Sequence, residues 1–178
     1  MGTWDIGPFD NDTAADFSYD VDSAPEGKKA EVLRAAFREV TETGDDYLDA
    51  DLAVEAVAAA ALVASQCPGG EPVTTSYGPE KPLGELPVEL RAEAVTALDR
   101  VLAEPSELLE LWEESDGEAW KAGIRKLRGS WRGLEPAGRR LPVSGGLHVG
   151  EHSAQDFEGG RGGAGVCGAL SCRGGTPV

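Results

Sequence analysis

Between Leu52 and Gln66 the chain is apolar nearly all the way round a helical wheel, with Ala53, Ala56, Ala58 to Ala61 and Ala64 set among valines and leucines. A helix that is apolar on every face must be buried on every face, so other elements have to surround it. Its alanines combine high helix propensity with small radius, which lets neighbouring helices approach closely. The run is too short to span a bilayer: Leu52 to Ala64 is 13 residues and includes Glu55, whereas a helical span needs about 20. It is therefore predicted as the central helix of an all-α core, and the rest of the chain has to supply the wrapping.

Amphipathic stretches of the right period lie on both sides. Ala14, Phe17 and Val21 stand at i, i+3 and i+7, with Asp10 or Asn11 placed to cap that helix and Asp12, Asp16 and Asp20 on its wet side. A second helix is expected from Lys28 to about Val40 on the stripe Ala30, Leu33, Phe37 and Val40, stopped by Thr43-Gly44. After the central run, Pro87 suits the first position of a helix reaching about Ala103 on Leu90, Ala94, Ala97 and Val101. Pro105-Ser106 breaks and recaps the chain before a short helix with Leu108, Leu109, Leu111 and Trp112. Ser115-Asp116-Gly117-Glu118 has the pattern of a capping box, and Trp120, Ile124, Leu127 and Trp131 then mark a last helix with its basic residues toward the C-terminal end. The expectation is one compact all-α domain of five to six helices over residues 1–131.

Three stretches fall outside this pattern. Residues 1–12 hold Trp4, Ile6 and Phe9, three large apolar anchors that predict an ordered irregular N-terminal segment packed across the central helix. Cys67 to Pro87 is rich in proline and has no periodicity, which predicts a long ordered crossover or lid held down by its own aromatic, Tyr77. Residues 132–178 form a Gly-rich tail; from Gly133 onward, 13 of 46 residues are glycine. Such a composition cannot offset its own ordering entropy and predicts disorder. It is also what out-of-frame translation of a GC-rich gene produces, so a frameshifted C-terminus stands beside the disordered one.

Charge narrows the function classes. Residues 1–120 carry 28 acidic and 7 basic side chains, a net of −21, while residues 121–178 carry 4 and 9, a net of +5. So acidic a surface repels nucleic acid and anionic membrane, and it favours a basic protein partner. Three cysteines, Cys67, Cys167 and Cys172, are too few and too scattered for a disulfide scaffold. With no secretory pattern and no myristoylation signal at Met1-Gly2, a cytoplasmic location is expected.

The segment Gly2-Thr3-Trp4-Asp5-Ile6-Gly7-Pro8-Phe9-Asp10-Asn11-Asp12 through Phe17 resembles the N-terminal signature of a bacterial domain-of-unknown-function family, the one numbered 4259. The resemblance continues through Tyr47-Leu48, Pro68-Gly69-Gly70, Ala97 to Leu102, Leu111-Trp112 and Ala119-Trp120, and covers roughly residues 1–131. It implies a domain boundary and no catalytic residues.

Candidate chemistry is sparse. Asp10, Asn11, Asp12 and Asp16 gather oxygens that could chelate Mg²⁺ or Ca²⁺, which would suit a metal-dependent hydrolase. An EF-hand would need an oxygen donor and a glycine at Ala14 and Ala15 and a glutamate at Val21, so helix capping and a solvated face are the preferred reading and no metal site is assigned. Asp45, Asp46, Asp49 and Asp51 form a second acidic cluster, read as a loop with a cap at Asp49 or Asp51. Both histidines, His148 and His152, lie in the tail, which leaves Cys67 without a histidine partner in the folded region and argues against Cys-His or Ser-His catalysis. No catalytic residue and no cofactor are expected. Trp4 and Phe9, with Asp10, Asn11, Asp12 and Asp16 as an acidic rim, are the candidate binding residues for a basic protein partner. The functional expectation is a non-catalytic binding or regulatory protein, comparable by analogy with immunity or antitoxin factors.

Overall fold

The computed structural model describes residues 5–115 and 117–131; Trp4 and the expected Gly-rich tail, 132–178, lie outside them. The described residues form α1 (Asp12–Ser23), α2 (Lys29–Glu42), α3 (Ala50–Ser65), α4 (Leu90–Val101), α5 (Glu107–Glu113) and α6 (Gly117–Gly129). They contain no β-strand; Leu48 and Ser106 form an isolated parallel bridge. The fold is all-α.

The alanine helix α3 is central: it packs against each of the other five helices. Twelve of its residues are buried, including every position from Ala56 to Ala64. Two carboxylates serve its N-terminus, where unsatisfied amides and the helix dipole favour negative charge. Asp49 accepts from Asp51 N at 2.9 Å, and Glu107, from α5, accepts from Ala50 N at 2.9 Å. At the other end Gly70 lies so close to the last turn that a Cβ there would collide with the Ala64 carbonyl.

α1 and α2 follow the expected stripes. Asn11 caps α1 by accepting from Ala14 N at 2.7 Å, and Ala14, Phe17 and Val21 are buried. In α2, Leu33, Ala36, Phe37 and Val40 face inward, and Gly44, at φ 56°, lets the chain leave the helix. The α2–α3 and α4–α5 connections are clamped by Arg100. Its guanidinium donates to the carbonyls of Gly44 (2.7 Å), Asp46 (2.6 Å), Ala103 and Pro105 (both 2.9 Å). A planar fork of five donors is suited to satisfying several loop carbonyls that no helix ladder can reach. Trp112 of α5 stacks on Trp120 of α6, ring centroids 5.9 Å apart and planes within 10°, and Ile124 and Trp131 continue the buried stripe.

Four local expectations need correction. Ile6 is 42% exposed, so within the described part of the N-terminal segment Phe9 (4% exposed) is the anchor. α4 begins at Leu90; Pro87 instead opens the preceding turn, its carbonyl accepting from Leu90 N at 3.2 Å. Ser115 forms no capping box with Glu118: its hydroxyl donates back to the Trp112 carbonyl at 3.4 Å, and Glu118 lies 3.8 Å from Lys121. Finally, Tyr77 is 45% exposed, and the connection from Cys67 to Glu89 is pinned by Val73, Leu83 and Leu86 against the core and by polar bonds to α1 and α2.

Candidate functional site

The N-terminal candidates divide by role. Phe9 is buried, so it is no exposed anchor. The Asp10 carboxylate accepts from Gly7 N at 3.0 Å while Asp10 N donates to the Gly7 carbonyl at 3.1 Å, closing a turn so tight that a Cβ on Gly7 would strike the carboxylate. Asn11 is 6% exposed and spends its side-chain oxygen on the α1 cap. Asp12 and Asp16 stand exposed on α1. Among the described residues no group of three or more His, Cys, Asp or Glu is arranged to hold a metal ion. Beside this segment a cleft of about 590 Å³ opens between Phe9, Val73 and the α6 residues Ile124 and Leu127, with Asp10 and Lys126 on its walls.

The second acidic cluster is also structural. Asp49 caps α3, Asp51 accepts from the Thr13 hydroxyl at 2.9 Å, and the Asp46 carbonyl is held by Arg100. Cys67, just past α3, is buried with its thiol 3.5 Å from the Val63 carbonyl.

What the structure adds lies on the two flanks of α1. On one flank, acids from three helices converge on Glu55, the single charged residue in the interior of α3. Glu55 is half-buried, and its carboxyl is held above its ordinary range by that burial and by the charges of Glu39, Asp20 and Asp51. No lysine or arginine belongs to α1.

On the other flank the opposite happens. Asp22 accepts from Glu80 N at 2.6 Å, Lys81 N at 3.0 Å and the Lys29 ammonium at 3.3 Å. Lys29, 5% exposed, also donates to the Lys81 carbonyl at 3.3 Å, and the Lys81 ammonium returns to the Asp22 carbonyl at 2.8 Å. Burial works against the Asp22 charge, but the amides of Glu80 and Lys81 and the Lys29 ammonium outweigh it and hold the carboxyl below its ordinary range. The signal for Lys29 was present: it precedes Leu33, Ala36 and Val40 by four, seven and eleven residues, on the apolar stripe of α2.

The described residues thus form six helices, with an alanine-rich one at the centre and an acidic exterior around α1. The chain belongs to the family described as a domain of unknown function, DUF4259, whose model matches residues 2–123. No curated protein and no solved structure matches it. Among the described residues, no helix is long and apolar enough to cross a membrane.

Proposed function

We propose that the chain is a non-catalytic, cytoplasmic binding or regulatory protein that offers the acidic α1–α2–α3 face to a basic protein partner, in the manner of an immunity or antitoxin factor. The observation that supports this reading is half-buried Glu55, whose carboxyl is raised first by its burial and then by the charges of Glu39, Asp20 and Asp51, with no cation among the causes. Basic side chains nearby are already committed: Arg34 to Glu93 at 3.1 Å, Arg38 to Glu42 at 3.7 Å and Lys29 to Asp22. Like charges left unneutralised at one place are a standing repulsion that an incoming basic surface relieves, and such complementarity sets partner choice and association rate.

The test is affinity purification of the full chain from its native cell. A stoichiometric basic protein is expected, retained at low salt, released as ionic strength shortens the screening length, and lost from a variant carrying Asp16→Asn, Asp20→Asn and Glu39→Gln. Recovery of no basic partner, together with thermal stabilisation by millimolar Mg²⁺ or Ca²⁺, would overturn the reading in favour of a metal-dependent enzyme.

A further inference from the structure

We infer that Tyr47, in the α2–α3 connection, and the outer face of α5 form the docking place for an arginine of the basic partner, whose guanidinium lies on the Tyr47 ring and pairs with Glu110. The inference rests on the reading of a basic protein partner and adds to it a place and a residue type. Tyr47 is 55% exposed, yet its hydroxyl is tied down, donating to Glu110 Oε2 at 3.1 Å. Along α5, Glu107, Glu110 and Leu111 stand at i, i+3 and i+4 on one face. Leu111, the apolar residue of that face, is 46% exposed. An exposed tyrosine is a side chain that interfaces favour, because it offers a large rigid face with little rotamer entropy to lose.

The charge of the two segments selects the occupant. They meet at the Leu48–Ser106 bridge, and neither residues 39–80 nor residues 101–120 include a lysine or an arginine. Four carboxylates lie between Asp45 and Asp51 and five between Glu104 and Glu114. The cations that reach these segments are engaged, Arg100 with the carbonyls of Gly44, Asp46, Ala103 and Pro105, and Lys121 with Glu113. Asp49, Glu107 and Glu110 accept from neutral donors, the amides of Asp51 and Ala50 and the Tyr47 hydroxyl, so these bonds leave their charges in place. Partial loss of water, and then the bond and charge of Glu110 and the charges of Glu107 and Asp49, hold the Tyr47 hydroxyl above its ordinary range. No cation is among those causes. A guanidinium answers ring and carboxylate together: its plane stacks on an aromatic face while its edge donates to a carboxylate, and an ammonium has no such plane.

The docking place is also held in shape. Leu48 N donates to the Pro105 carbonyl at 3.2 Å and Glu107 N to the Leu48 carbonyl at 3.0 Å, so the residue after Tyr47 is fixed to the start of α5 before any partner arrives. A preformed site avoids the ordering cost that a flexible loop would impose on binding.

The experiment titrates the isotope-labelled full chain with an acetylated, amidated tetra-arginine peptide at low salt and follows backbone amide shifts, with tetra-lysine and uncharged tetra-citrulline as controls. Tetra-arginine is expected to perturb Tyr47, Leu48, Glu110 and Leu111 most and to bind more tightly than tetra-lysine, while tetra-citrulline leaves these amides in place. Tyr47→Ala should weaken tetra-arginine binding about 2- to 30-fold, whereas Tyr47→Phe keeps the ring and most of the binding. The exposure of Tyr47 makes loss of folding from either change unexpected, and Glu110→Gln should weaken binding without touching the ring. Equal binding of tetra-lysine, binding that maps to α1, or indifference to Tyr47→Ala overturns the docking place and leaves the acidic-face reading standing. Absence of any tetra-arginine binding also overturns it, and the purification of a partner from the native cell then decides the broader reading by itself.

Discussion

The two flanks of α1 treat a partly buried carboxylate in opposite ways. Toward the Cys67–Glu89 connection, two amides and an ammonium surround Asp22 and hold its carboxyl down. Toward α2 and α3, burial and then the charges of Glu39, Asp20 and Asp51 push the Glu55 carboxyl up. The difference lies in the cations: on one flank Lys29 and Lys81 help to keep a long irregular connection in place. On the other flank no cation is among the causes that shift Glu55.

Both flanks stand on the same footing, the inner stripe of α1, and removing that footing gives the largest expected effect. Phe17 is 5% exposed. Phe17→Ala should cost about 3–5 kcal/mol, read as a lower urea midpoint with little change in slope. It should loosen both flanks together. If only one flank loses hydrogen-exchange protection, α1 is not the common support and the comparison fails.

Asp22→Ala should break one flank alone. It leaves the Lys29 ammonium, 6% exposed, with only the Lys81 carbonyl of its two partners, and it orphans two amides of the connection. Hydrogen bonds to charged groups contribute about 1.5–3 kcal/mol each, and the bonds at this seam overlap, so a total of about 2–3 kcal/mol is expected. The signature is local: the Glu80 and Lys81 amides should exchange faster while α3 amides keep most of their protection. The pH dependence has a definite sign. The folded carboxyl is depressed below its ordinary value of 3.8, so its contribution is present above that pH and is lost as pH falls through the folded value. Wild type should therefore lose its advantage over Asp22→Ala on acidification below about pH 4.

What could be read from sequence follows the range of the interaction. The burial of α3, the inward stripes of α1 and α2 and the caps at Asn11 and Asp49 are local periodicities and spacings, and the structure holds each of them. The Asp22 seam joins residues 52 to 59 positions apart, so no local pattern pairs them; only the misplaced-looking Lys29 hinted that something had to meet it. Ile6 misled for a similar reason, since an apolar residue in an irregular segment has no period to say which way it faces. Trp4, paired with Phe9 as a candidate, lies outside the described residues. Of the acidic rim expected around Phe9, Asp10 and Asn11 are used locally, in the Gly7 turn and the α1 cap, while Asp12 and Asp16 stand exposed on α1.

The smallest effect is the most pointed test of the contrast, because its sign is reversed. Glu55→Gln keeps the size of the side chain and removes one of the converging charges. The folded carboxyl is raised above its ordinary value of 4.5, first by burial and then by Glu39, Asp20 and Asp51. A carboxyl raised by folding favours the folded state while protonated, and that advantage disappears as pH rises through the folded value. At neutral pH the ionised Glu55 therefore works against folding, and Glu55→Gln should be more stable than wild type, by less than about 1 kcal/mol because solvent screens much of the repulsion. Below about pH 4 the two proteins should converge, since both then carry a neutral side chain at this position. Added salt should narrow the gap at pH 7 as well. A destabilised Glu55→Gln at neutral pH would mean that an attractive contact outweighs the crowding, and the acidic flank would then be a built structural feature like the Asp22 seam, with no repulsion left for a partner to relieve.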